Sequence, residues 1–180
     1  MARSGPAPAA PRLTRPDVRF VALVAGFHRE VAERLLEGAR ARLAESGLRE
    51  GNLDEVWVPG AYELPLAAQA VARAGRHAAI LALGAVVRGE TPHFDYVCDA
   101  AASGLLRVSL DTGVPCAFGI LTCDTYAQAE ARAGGAVGNK GREAMLAAIE
   151  MATLRHLVET SPLQDESAAV SEAQREGTRA

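Results

Sequence analysis

The sequence predicts an α/β domain in which a parallel sheet of four strands is covered by helices on both faces. Three observations predict it. Short β-type runs alternate with stretches of helical spacing, strand then helix, along the body of the chain. Runs such as "VRFVALVAG" and "AAILALGAVV" are apolar almost throughout, as strands buried on both faces must be. The composition is 49% hydrophobic but only 4% aromatic, and rich in alanine, which suits helices packed closely on a sheet. At 180 residues the chain can bury a core of its own.

The first strand is "VRFVALVAG". The stretch "REVAERLLEGARARLAESG" follows as a helix, with Val31, Leu35, Ala39 and Leu43 on one face and Gly47 as its stop. "DEVWVPGAYE" is a short strand running into a turn, and "LPLAAQAVARAG" a helix that tolerates Pro65 in its first turn. "AAILALGAVV" is the third strand, and a helix is predicted from Pro92 to about Leu110. "VPCAFGILTC" is the fourth strand, followed by "TYAQAEARAG" and the long helix "NKGREAMLAAIEMATLRHLVE". Strands each followed by a helix imply crossover connections and a parallel sheet. Around this domain, residues 17–159, residues 1–16 read as a flexible Ala/Pro/Arg arm and residues 160–180 as a polar, disordered tail.

A net charge of −3 without a basic block argues against nucleic acid or an anionic membrane as partner. No apolar run approaches the roughly 18 residues of a membrane span. Cys98, Cys116 and Cys123 match neither a zinc site nor a disulfide framework. They read as small core residues of a reducing, cytoplasmic protein.

In parallel sheets ligands bind outside the carboxyl ends of the strands. Phe27 and His28 follow strand one, "PGAYE" follows strand two and "RGETPH" follows strand three. Thr91 before Pro92 reads as an N-cap and first helical position, which sets the N–H groups of Gly89, Glu90 and Thr91 near a helix N-terminus, a place that attracts phosphate. His93 is the proton-transfer candidate, since neutral imidazole accepts and returns a proton near pH 7. His28, His77 and His156 lack its combination of neighbours. Phe27 can stack on a flat heterocycle or fill the core. Glu63 can accept hydrogen bonds from ligand hydroxyls or cap the next helix. Arg132 can finish its own helix; an anion-binding role needs it over the "GET" loop. "GGAVGNKG" lacks the spacing of a phosphate loop, no G-x-G-x-x-G follows a strand, and no residue set has metal-ligand spacing.

The segments "VPGAYELPLAA", "ALGAVVRGETPHFDYVCDAAASGL", "FGILT" and "ARAG…GNKG", in that order, resemble the 6,7-dimethyl-8-ribityllumazine synthase family of riboflavin biosynthesis. The resemblance runs from about Val18 to Leu157 and is carried above all by "RGETPHFDYV". It implies a flavodoxin-like three-layer αβα sandwich and a transferase that condenses 5-amino-6-(D-ribitylamino)uracil with 3,4-dihydroxy-2-butanone 4-phosphate, with no metal or organic cofactor. It further implies that Phe27 stacks on the pyrimidine, that Ala61, Tyr62 and Glu63 line the ribityl side, and that Ala85, Val86 and Val87 line the pyrimidine edge. Glu90 and Thr91 offer backbone groups to phosphate, with Gly89 beside them and Arg132 as counter-charge. His93 moves the protons, Phe118 reaches the adjacent subunit's pocket, and Lys140 sits near the phosphate end. His28 stands where many members carry asparagine, and Tyr62 where many carry phenylalanine or isoleucine.

The same resemblance implies pentamers. The short "RAGGAVGNKG" between the last two helices is similar to the linker of members that build sixty-subunit icosahedral shells, so the 60-mer is expected over the free pentamer. A complex with riboflavin synthase is a further expectation. Two other readings stand beside the enzyme: a non-catalytic lumazine- or flavin-binding shell protein, and a flavodoxin-like FMN carrier. The first has no reason to keep His93 and Arg132 together. The second needs a Ser/Thr-rich loop after strand one, where this chain has "GFHREV".

Overall fold

The computed structural model describes residues 17–160, so the expected arm over residues 1–16 and the tail from residue 161 on lie outside the described residues. Four strands, β1 (Phe20–Ala25), β2 (Leu53–Val58), β3 (Ala79–Val87) and β4 (Cys116–Cys123), form one sheet in the order β2-β1-β3-β4. Every pairing in it is parallel, as the sequence pattern requires. The helices are α1 (Arg29–Glu45), α2 (Leu64–Ala74), α3 (His93–Thr112), α4 (Tyr126–Arg132) and α5 (Lys140–Thr160).

Alternation along the strands divides the core in two. Phe20, Ala22 and Val24 of β1, with Leu81 and Leu83 of β3, pack against Leu36 and Ala39 of α1 and Met145 and Ile149 of α5. Val21, Leu23, Ile80 and Ala82 point the other way, onto Leu64 and Ala68 of α2 and Ala101 and Leu105 of α3. Both faces of the central strands are therefore covered, which is why the sequence shows unbroken apolar runs there. Val31, Leu35, Ala39 and Leu43 are all buried on α1, as their spacing predicts.

Small residues let the layers close. A methyl group at Gly141 would lie 1.9 Å from the Leu35 carbonyl oxygen, so α5 crosses α1 there at a separation no side chain allows. Asn139 fixes the same crossing. Its side-chain oxygen accepts from the N–H groups of Gly141 (2.9 Å) and Arg142 (3.1 Å), and its amide donates to the Arg34 carbonyl (2.7 Å). "GNKG" is thus a helix cap that ties α5 to α1.

Three features depart from the sequence expectations. The glycine-rich segment before α5 folds as an antiparallel hairpin, β5 (Ala133–Gly135) with β6 (Gly138–Asn139). Thr91 is not the N-cap of α3: Pro92 holds that position, no side chain caps this end, and the Asp95 N–H closes the first turn onto the Pro92 carbonyl at 3.0 Å. Proline lacks an N–H and already has φ −62°, so it can open the helix from one residue later than expected. Only Cys123 of the three free cysteines is buried, while Cys98 and Cys116 are half-buried; desolvation raises the pKa of each thiol.

At the amino-terminal edge of the sheet, Asp54 accepts from His77 Nε2 (2.7 Å) and from the Arg19 guanidinium. The His77 hydrogen bond, then that of Arg19, holds the Asp54 carboxyl below the usual aspartate range.

Candidate functional site

The strand order reverses between β1 and β3: the chain leaves β1 for β2 on one side and returns to β3 on the other. Outside the carboxyl ends of strands at such a point, open parallel sheets form a ligand crevice. Here it is a cleft of about 430 Å³, within the range of small-molecule sites. The turn after β1 contributes Phe27 and His28, and the turn after β2 contributes Gly60, Ala61, Tyr62 and Glu63. Ala85, Val86 and Val87 at the end of β3, with His93 and Val97 of α3, complete the wall.

Each element sets its side chain for a local reason. Phe27 is 69% exposed, although phenylalanine at a strand end ordinarily folds inward. Its ring lies over Gly60, where a methyl group would come within 3.0 Å of Cδ2 and 3.1 Å of Glu63 Oε2. The glycine therefore sets how closely the aromatic platform and the Glu63 carboxylate approach. Glu63 occupies the N-cap position of α2 without making a capping bond, so its carboxylate is not committed to the helix end.

His28 is the one non-glycine residue with positive φ among the described residues (φ 53°, ψ 51°). A left-handed conformation costs a residue with a Cβ about 1–2 kcal/mol, and such strain gathers at functional sites. Its carbonyl starts α1 by accepting from the Val31 (2.9 Å) and Ala32 (3.1 Å) N–H groups. Its ring lies 5.6 Å from that of Tyr126, centroid to centroid, which links the cleft to the start of α4.

His93 is exposed at the first position of α3 and faces the cleft. Gly89, Glu90 and Thr91 are exposed in the connection just before it and do not line the cleft wall. Val97 was not foreseen, although one turn of helix separates it from His93, and that i, i+4 spacing places the two on one face. Gly60 stood in the "PGAYE" segment but had no role assigned.

Phe118, Arg132 and Lys140 are elsewhere. They line a second concavity of about 470 Å³, with the end of β4 and the start of α5. β4 is an edge strand, and α4 after it packs on β4 and the hairpin that follows, with Ala129 buried beside Val31 and Leu35 of α1. Arg132 Nη1 donates to the Gln128 carbonyl at 3.0 Å, finishing its own helix, and Lys140 pairs with Glu143 (2.7 Å). Phe118 is 45% exposed. One chain thus carries two open surfaces: one with an aromatic platform, a carboxylate and an imidazole, the other with an aromatic ring and two cations.

Comparison with known proteins is consistent throughout. Residues 17–156 match the family described as 6,7-dimethyl-8-ribityllumazine synthase. A protein of that name from Salinibacter ruber is 56% identical over 136 residues, which cover 76% of this chain and 87% of that one. The Xanthomonas campestris protein of that name is 48% identical over 140 residues, covering 78% of this chain and 91% of its own. The chloroplastic protein of Spinacia oleracea is 52% identical over 136 residues, which span 76% of this chain and 61% of that longer one. The chain belongs to the 6,7-dimethyl-8-ribityllumazine synthase family, and the family's synthase reaction is its function.

Proposed function

We propose that this lumazine synthase joins 5-amino-6-(D-ribitylamino)uracil to 3,4-dihydroxy-2-butanone 4-phosphate at a site formed by the cleft of one subunit and the second concavity of its neighbour. One observation carries the reading. The side chains that suit a flat heterocycle, a polyol and a proton transfer share one cleft, while the cations that suit a phosphate lie on a different face of the same chain. The two concavities share no lining residue. A head-to-tail contact between copies brings them together and closes into a ring.

In this arrangement the pyrimidine stacks on Phe27, against the apolar edge of Ala85, Val86 and Val87. Ala61, Tyr62 and Glu63 meet the ribityl chain, with His28 at the rim. The butanone phosphate sits by Glu90 and Thr91, next to Gly89, whose lack of a side chain leaves the backbone open to it. The neighbour's Arg132 and Lys140 balance its charge, and the neighbour's Phe118 closes the pocket. The pyrimidine 5-amine attacks the ketone, and loss of water gives the Schiff base. Removal of a proton from the adjacent carbon expels phosphate as the C–O bond breaks. The enol so formed ketonises to a new carbonyl at that carbon; the ribityl-bearing nitrogen adds to it, and loss of a second water closes the ring. His93 is the group placed to take and return these protons. The two concave faces supply orientation, the larger part of the acceleration where two substrates must meet.

A pentameric ring, assembled into a sixty-subunit shell, and a cytoplasmic setting belong to the same reading. The first is supported by the divided site and the short hairpin before α5, the second by three free cysteines. Among the described residues no helix is long and apolar enough to cross a membrane.

The test is to mix the purified protein with both substrates and follow lumazine absorbance. His93→Ala should slow turnover by about 10²–10⁴-fold, the usual worth of general acid–base help. It should melt like the parent, because the side chain is exposed. Parental turnover in folded His93→Ala would remove the proton-transfer role. A protein that binds the lumazine without forming it would be a shell component only.

A further inference from the structure

Arg88 opens the "RGETPH" segment, yet it lines neither concave surface. Its side chain nonetheless joins several groups at the carboxyl end of the sheet. The backbone N–H donates to the Cys123 carbonyl at 2.9 Å, and Nε donates to Asp124 Oδ1 at 2.9 Å. Nη1 and Nη2 donate to the two carboxylate oxygens of Asp95 at 3.3 and 3.1 Å. The guanidinium carbon also lies 4.1 Å from the centroid of the Phe94 ring. The two carboxylates, Asp95 before Asp124, raise the Arg88 pKa.

Phe94 and Asp95 directly follow His93 in the first turn of α3. That turn is closed by the Asp95 N–H on the Pro92 carbonyl, but no side chain caps its start. We propose that Arg88 is a positioning residue, whose planar fork ties the first turn of α3 to the ends of β3 and β4 and so aims His93 into the cleft. The proposal rests on His93 being the proton carrier. Arginine suits the task because five donors in one plane can hold Asp95 bidentately, reach Asp124 and stack on Phe94 at once. Lysine can satisfy one of these at a time. Arg88 and its partners are solvent-exposed, with side-chain exposures of 42, 61 and 69% for Arg88, Asp95 and Asp124. Ion pairs so exposed add little to global stability. Their consequence is local orientation, and a misplacement of about 1 Å near the chemistry can cost on the order of a hundredfold.

The experiment compares Arg88→Met, Arg88→Lys and Asp95→Asn with the parent, each also combined with His93→Ala. Arg88→Met should lower kcat roughly ten- to a hundredfold, with KM for both substrates within about twofold and melting unchanged. Arg88→Lys should fall between the two. In the His93→Ala background Arg88→Met should add no further loss, because a residue acting through His93 has nothing left to position. If Arg88→Met folds poorly, Asp95→Asn cuts the same tie from the other end and should reproduce the fall in kcat. Parental kcat in Arg88→Met or, where that variant folds poorly, in Asp95→Asn overturns the proposal. So does an equal loss in the His93→Ala background, or a loss that tracks melting. Slow His93→Ala beside a silent Arg88→Met would sink the positioning role alone; full turnover in His93→Ala would sink the proton-carrier reading and this proposal with it.

Discussion

Two defects placed on different subunits test the divided site. His93→Ala damages the cleft and leaves the second concavity intact; Phe118→Ala with Arg132→Ala damages the second concavity and leaves the cleft intact. Each variant alone should form rings with no sound site. Co-expressed in equal amounts, they should assemble at random. A site is sound where an undamaged cleft faces an undamaged concavity, and each condition is met half the time. About a quarter of the sites should therefore recover, whatever the size of a head-to-tail ring. The assay is lumazine formation by complexes purified through a tag on one variant, with mass analysis to establish that both are present. If the whole site lay within one chain, every subunit would carry one defect and nothing would recover. Co-assembled rings no more active than the sum of their parents would refute the shared site.

Gly60→Ala sets a methyl group 3.0 Å from Phe27 and 3.1 Å from Glu63 Oε2. Because that ring is exposed it can yield by a few tenths of an ångström, so stability should barely move while KM for the pyrimidine rises several-fold; an unchanged KM would mean the platform is not where the heterocycle binds. Gly141→Ala is the opposite case, since its methyl meets the Leu35 carbonyl at 1.9 Å and backbone cannot yield so far. It should cost about 3 kcal/mol, the upper end of ordinary overpacking, read as a lower urea midpoint; an unshifted midpoint would show that α1 and α5 separate freely. Asp54 tests the sign of an acid effect. Its folded pKa lies below the unfolded value, so its contribution is present above about pH 4 and lost as pH falls through the folded value. Asp54→Asn should therefore flatten stability against pH on the acid side, and parallel curves for parent and variant would show that the Asp54–His77 and Asp54–Arg19 contacts contribute nothing.

The sheet was legible because its central strands are buried on both faces, and two-sided burial leaves a run such as "AAILALGAVV" with no polar alternation to misread. The cleft was legible for a related reason. Parallel strands deliver all their carboxyl ends to one edge, so Phe27, Glu63 and His93, far apart in sequence, could be placed together from strand ends alone. Candidate roles for them came from residue chemistry, and their assignment to particular parts of the substrates from resemblance. Spacing did not show partition, which for Phe118 was implied by the resemblance alone. Nothing in the spacing of Phe118, Arg132 and Lys140 says that they line a concavity separate from the crevice, because periodicity records which residues are buried but not which cavity an exposed side chain lines. Thr91 failed as a cap because proline beside it can open a helix unaided. The hairpin of β5 and β6 was missed because two or three residues per strand leave no pattern.

In the proposed ring the same partition would account for the apolar side chains that face water in a single chain. Leu106 and Leu110 of α3 and Leu154 and Leu157 of α5 are more than half exposed, and Phe118 is 45% exposed. The leucines lie on both faces of the sheet, on α3 and on α5; where exposed apolar side chains gather they mark association surfaces, and each square ångström withdrawn from water is worth about 25 cal/mol. Phe118 is an exposed apolar side chain that lines the second concavity, so in the proposed ring one burial event would both hold two subunits together and close a pocket. Hydrophobic contact then supplies the association energy, while Arg132 and Lys140 remain to meet the charge of the phosphate. A substitution that weakens the ring without touching Phe27 or His93 must therefore lower activity, and the loss must be reversible by raising protein concentration.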